Sequence, residues 1–170
     1  MPAAILPDLL RPGLRLVFCG TAAGAASAAR GAYYAGRGNR FWPILAAAGL
    51  TPRRLAPEEF AVLDRWGIGL TDIAKHVSGN DADLPRGALD ATDLRRRLRV
   101  AKPAMIAFNG KAAAAAALGR PSRGIAFGPQ ASAPELPPAW VLPSTSGAAG
   151  GSWDAAHWMA LGRWFHEGET

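Results

Sequence analysis

LRLVFCGTAAG, residues 14–24, is the stretch on which the fold turns. Residues 14–19 form a short, largely apolar run stopped by Gly20, the pattern of a buried strand. The Gly-, Ala- and Ser-rich stretch that follows, GTAAGAASAARGAYYAGRGN, is too long to be an idle connector. Similar short apolar runs recur at 68–71, 104–108 and 140–142. Helical patterns lie between and after them: 41–49, 57–65, 90–99, an alanine-rich segment after Lys111, and 153–166. The 90–99 segment opens on acid and ends on arginine, the polarity a helix dipole favours. Strands alternating with helices predict an α/β fold with a mainly parallel sheet. In such a sheet the loops leaving the carboxyl ends of the strands hold ligands. Residues 72–84 read as a polar surface loop, residues 1–13 as an irregular arm, and 1–170 as a single domain.

Composition narrows the class. A chain of 170 residues that is 49% hydrophobic is not disordered and is long enough to bury a core. The net charge of +6 suits a phosphate-rich partner and equally a plain basic surface. Cys19 is the only cysteine, which excludes an internal disulfide and any cysteine-based zinc or iron–sulfur centre. Its apolar neighbours predict a buried thiol. The opening MPAAILPDLL is too short and too broken by proline for a signal peptide or a membrane span, so a cytoplasmic setting is expected.

Four segments carry chemistry. The Gly20–Gly24 loop offers backbone N–H groups and no bulk, so a flat ligand can lie against the main chain. It has neither Walker A nor GxGxxG spacing. Tyr33-Tyr34 leads to Asn39-Arg40-Phe41-Trp42. Tyr34 offers a ring for a base to stack on, while Phe41 and Trp42 belong to the core. Phe108-Asn109-Gly110-Lys111 and Leu142-Pro143-Ser144-Thr145-Ser146-Gly147 each follow a strand. The hydroxyls and N–H groups of the last segment suit phosphates. As alternatives, Asn39 and Asn109 read as helix caps and the serine-rich loop as a flexible connection. There is no nucleophile elbow and no phosphate-loop lysine, which argues against a small α/β hydrolase or nucleotide-binding protein.

Taken together, NRFWPILAAAGLTPRRL, GIGLTDI, FNGKAA and LPSTSGAA resemble the uracil-DNA glycosylase superfamily over residues 14–165, in that family's order. The nearest branches are the mismatch-specific uracil/thymine and the hypoxanthine-DNA glycosylases. The resemblance implies a three-layer α/β/α fold with a short, mainly parallel central sheet. It implies a monomer without metal or cofactor that flips a base from DNA and hydrolyses its glycosidic bond, leaving an abasic site. Gly20, Thr21, Ala22, Ala23, Gly24, Ser27, Tyr34 and Asn109 would face the base. Lys111, Ser144, Thr145, Ser146, Gly147, Ala148 and Ala149 would meet the DNA.

The sequence departs from the mismatch branch in two places. Ala22 stands where that branch carries the asparagine that positions water, and alanine cannot orient water or accept a proton. Asn39, which matches the catalytic asparagine of the hypoxanthine branch, and Asp72, a carboxylate at a strand end, are the replacements expected; His76 and His157 are weaker ones. Gly147-Ala148-Ala149-Gly150 also falls where the family places a bulky wedge, with Arg123 or Trp153 as compensation. Two readings follow: a monofunctional glycosylase acting on uracil, with hypoxanthine or other deaminated bases as further substrates, or a catalytically weak protein that binds uracil or abasic DNA.

Overall fold

The computed structural model describes residues 3–168. Five strands form one sheet in the order β2-β1-β3-β5-β4: β1 Leu16–Gly20, β2 Ile68–Asp72, β3 Ile106–Asn109, β4 Gly128–Pro129 and β5 Ala139–Leu142. The first three and β5 are parallel, and the two-residue β4 is antiparallel to β5. The parallel strands are buried along their whole length, which is why they read as apolar runs without alternation.

Alternation is nevertheless present in three dimensions. Leu16 and Phe18 face one core with Phe41, Leu45, Trp158 and Phe165, while Cys19 faces a second core with Leu94, Leu98 and the alanines at 113, 114 and 117. Helices α2 (Phe41–Ala47) and α5 (Ala155–Glu167) therefore cover one face, and α3 (Ala91–Ala101) and α4 (Lys111–Leu118) the other. This is the three-layer α/β/α arrangement expected. Caps explain the boundaries: Asp90 accepts from the Asp93 amide at 3.0 Å and Asp154 from the Ala156 amide at 2.9 Å. Cys19 is fully buried, and burial pushes its thiol far up, so it is an inert packing residue.

Four local readings need correction. The long loop after β1 contains a one-and-a-half-turn helix, α1 (Ala25–Arg30), whose small residues masked its periodicity. The 57–65 helix is a 3-10 helix, Pro57–Trp66. Strand β4 is too short to register as a run. Residues 72–84 are not wholly a surface loop: Asp72, Ile73, Ala74 and Lys75 are all buried. Amides 73 and 74 donate to the carbonyls of Gly20 and Thr21, which locks that segment onto the end of β1. Over residues 3–13 the N-terminal arm is irregular but pinned, residues 1 and 2 lying outside the described residues. Leu6 is buried, and Leu9 exchanges both backbone bonds with Leu70 at 2.9 and 3.0 Å.

Helices α2 and α5 cross at Gly162. A Cβ there would sit 2.1 Å from the Ala48 carbonyl oxygen. Alanine normally gains about 1 kcal/mol over glycine inside a helix, whereas overpacking costs about 1–3 kcal/mol. The second effect wins, so Gly162→Ala should lower the melting temperature by roughly 3–10 °C. A melting curve that is unchanged or shifted upward would show that the two helices do not cross this closely.

Candidate active site

Strand order places the chain's change of direction between β1 and β3, because β2 lies on one side of β1 and every later strand on the other. A crevice at such a point is where open α/β sheets take ligands. Here a cleft of about 580 Å³ opens at the carboxyl ends of β1, β2, β3 and β5. The residues expected at the base, at the DNA or in catalysis, from Gly20 through Ala149, line it, the four weaker candidates excepted. His76, His157, Arg123 and Trp153 do not. His76 and Arg123 are exposed, His157 lies beside Asp154 and Phe127, and Trp153 packs on Trp158 with the Arg40 guanidinium over its ring.

Gly20 and Asp72 are register partners in adjacent parallel strands, so their side-chain positions share a face. A Cβ on Gly20 would lie 2.8 Å from Asp72 Oδ1 and 3.0 Å from the Tyr34 hydroxyl. Glycine is required here because a carboxylate and a phenol converge on the space a side chain would fill. Asp72 is 4% exposed and sits at the cleft floor. Burial raises its pKa, Lys75 and Arg97 oppose the rise, Asp8 adds to it, and the result is about 6.

A compact charge cluster stands behind Asp72. Lys75 Nζ lies 2.8 Å from Asp8 Oδ1 and donates to the Tyr33 hydroxyl at 3.2 Å, and that hydroxyl donates to the Pro7 carbonyl at 2.9 Å. Thr71 donates to Asp8 at 2.7 Å. Arg97 reaches Thr71, Asp93 and the Asp72 carbonyl. Sequence reasoning missed Asp8, Lys75 and Arg97, and their only signal was charge placed next to apolar runs.

Tyr34 has φ 53°, a left-handed conformation that is uncommon outside glycine. It is held there by the bond from the Ala35 amide to Ser27 Oγ at 3.0 Å and by stacking on Phe41, with centroids 4.0 Å apart. One ring face is therefore taken. The Tyr34 hydroxyl is buried and has no hydrogen bond of ordinary geometry in the structure. Burial holds its pKa up, with Asp72 adding to the effect and the nearby Asn109 side chain opposing it. Ser27 lines the cleft, but it is buried and its hydroxyl is committed to Ala35.

Asn109 Nδ2 donates to Thr145 Oγ1 at 2.9 Å, and Asn109 Oδ1 accepts from the Thr145 amide at 3.0 Å. These two bonds staple the loop after β3 to the loop after β5. The expected DNA contact does not extend to Thr145, which has no exposed surface and serves that staple. Ser144 and Ser146 accept from amides 146 and 148, which shapes the turn into the 3-10 segment Gly147–Ser152. Lys111 Nζ rests 4.5 Å over the Phe127 ring. Asn39 Oδ1 accepts from the Phe41 amide at 3.0 Å, but the N-cap position of α2 is Arg40, so Asn39 braces the turn ahead of the helix instead of capping it, and its side chain also borders the cleft. Thr21 donates to Asp81 at 2.5 Å, which brings residues 79–81 to the rim, another feature the sequence did not signal.

Residues 7–160 match the sequence profile of the Uracil DNA glycosylase superfamily. Among solved structures, the chain is similar to the solution NMR structure of a Methanosarcina acetivorans protein proposed to be a uracil DNA glycosylase. The TM-score is 0.63 at 23% identity, covering 95% of this chain and 96% of that one. At this identity the likeness is one of fold.

The raised Asp72 pKa has a consequence for stability. With a folded value of about 6 against an ordinary 3.8, the native state holds more protons than the unfolded state between those pH values. Stability therefore falls as pH rises through that window, and the full cost is present above it. Asp72→Asn removes an ionised buried group, so it should stabilise the protein at pH 7–8 by about 2–3 kcal/mol and have little effect below pH 4. Chemical denaturation at both pH values measures this, and an equal effect at both would contradict it.

Proposed function

The chain belongs to the uracil DNA glycosylase superfamily, and from that premise we propose that it hydrolyses the N-glycosidic bond of uracil in DNA, with Asp72 holding the attacking water. The family implies a glycosylase-type function and a DNA substrate. The observation that carries the finer reading is a buried carboxylate at the cleft floor with its pKa at about 6, beside a glycine and an unsatisfied phenol. A general base works best with a pKa near the operating pH.

The two candidate replacements for the missing asparagine divide the work. Asn39 has already given Oδ1 to the Phe41 amide, so its remaining capacity is the donor end of the amide. That suits a carbonyl of the base and does not suit taking a proton from water. Asp72 accepts only, and its charge also stabilises a sugar that turns cationic as the base leaves. Water oxygen bonds to the anomeric carbon as the carbon–nitrogen bond breaks, its electron pair departs on the base, and the carboxylate takes the water's proton. The Tyr34 ring offers its free face to the flipped base, and the backbone from Gly20 to Gly24 admits it closely.

The loop Gly147–Ser152 has no bulky side chain before Trp153. A weak wedge favours bases that already leave the stack easily: mismatched, damaged or unpaired. Purified protein should release uracil faster from a U·G pair or a single strand than from a U·A pair. Failure to release uracil from any of the three, with tight binding to abasic DNA retained, would favour the binding-only reading.

Asp72→Asn should lower the rate of uracil release by about 10²–10⁴-fold. The rate should rise with pH through about 6 as Asp72 ionises. Asp8 is one of the charges that raises the Asp72 pKa, so Asp8→Asn should move that acid limb to lower pH. A limb that stays in place would remove Asp72 as the titrating group.

A further inference from the structure

Beyond Asn39 the chain forms a second cleft of about 700 Å³. It shares Tyr34, Gly36, Arg37 and Asn39 with the first, so the two open side by side across one wall. Its apolar surface is provided by Pro43, Ala56 and Pro57, over the buried Trp42 and Leu55. Its rim carries Arg37 and Arg54, both exposed.

The charge there is unbalanced in one direction. The nearby carboxylates are already matched, Glu58 to Arg30 and Glu59 to Arg53. The side chains of Arg37 and Arg54 have no ion-pair or hydrogen-bond partner among the described residues. Two free guanidinium groups over an apolar, proline-lined recess match the chemistry of a nucleotide: anionic phosphate outside, flat base inside. Arg37 and Gly38 also lie against the Gly147 turn, with their carbonyl oxygens 3.9 and 3.7 Å from the position of a Cβ on Gly147. That glycine turn has no bulky side chain to fill or hold a gap in a duplex.

We propose that this second cleft is a subsite for the nucleotide adjoining the flipped one on the same strand, with its phosphate between Arg37 and Arg54. The occupant is an unpaired single-strand flank, because a neighbour still paired and stacked in a duplex cannot enter a recess. The inference rests on reading the first cleft as the base site, but its test does not depend on turnover. The wall between the clefts then sets the spacing from one base to the next, and single-strand engagement replaces the missing wedge.

The experiment is fluorescence anisotropy with a twelve-residue oligothymidine containing no uracil, and with a fully paired duplex of the same length, over a range of salt concentrations. The double variant Arg37→Ala/Arg54→Ala should bind the single strand at least tenfold more weakly. Its salt slope should flatten by about 0.7, the loss of one neutralised single-strand phosphate. The duplex should lose clearly less. The charge-matched control Arg65→Ala/Arg163→Ala, two exposed arginines outside both clefts, should leave single-strand binding near wild type. Equal losses on the two DNA forms, or equal losses in control and test variants, would overturn the subsite. A protein that binds as expected here yet never releases uracil would refute the excision reading and leave this one standing.

Discussion

An ion cluster behind Asp72 holds the cleft floor in place. Asp8, Lys75 and Arg97 form a largely buried ion cluster tied together through Thr71 and Tyr33, with the buried Asp72 carboxylate in front of it. Removing one ion-paired member of this cluster strands its partner, typically at a cost of about 3–5 kcal/mol, so the three behave as a unit, while Asp72, in none of these pairs, stands outside it. The cluster also reaches across the chain. Asp8 comes from the N-terminal arm, Lys75 from the segment after β2 and Arg97 from α3. The arm is thus part of the site's foundation, and its backbone pairing with Leu70 fixes where Asp8 can stand.

The same cluster explains how a carboxylate can be buried in the apolar end of a sheet without becoming permanently neutral. Desolvation and Asp8 push Asp72 toward the protonated form, and the two cations pull it back. The value of about 6 is the balance of these opposed effects. The native fold carries a burden of strain at this point, in the ionised acid and in the left-handed Tyr34 backbone, and both features adjoin the cleft.

The layered α/β plan was legible because fully buried parallel strands leave continuous apolar runs, and because the caps at Asp90 and Asp154 mark helix starts in plain view. The cleft was legible too, since its walls are the loops that directly follow those runs. What escaped was whatever depended on distance. Helix α1 has too few large side chains to show a period, and β4 has only two residues. Lys75 looked like part of a polar loop because its counter-ion lies 67 positions earlier. The roles of Asn109 and Thr145 were also hidden, for each looks like a ligand donor until the other is seen to occupy it.

The bond pair between Asn109 and Thr145 makes two loops from different strands into one body. Neither residue can change alone without leaving a buried amide or hydroxyl unanswered. In heredity the two positions should therefore behave as a single locus. A lineage that alters the floor of this cleft must pass through a paired exchange at 109 and 145, or reshape the site elsewhere, at Tyr34 or along the open glycine turn, where single steps remain free.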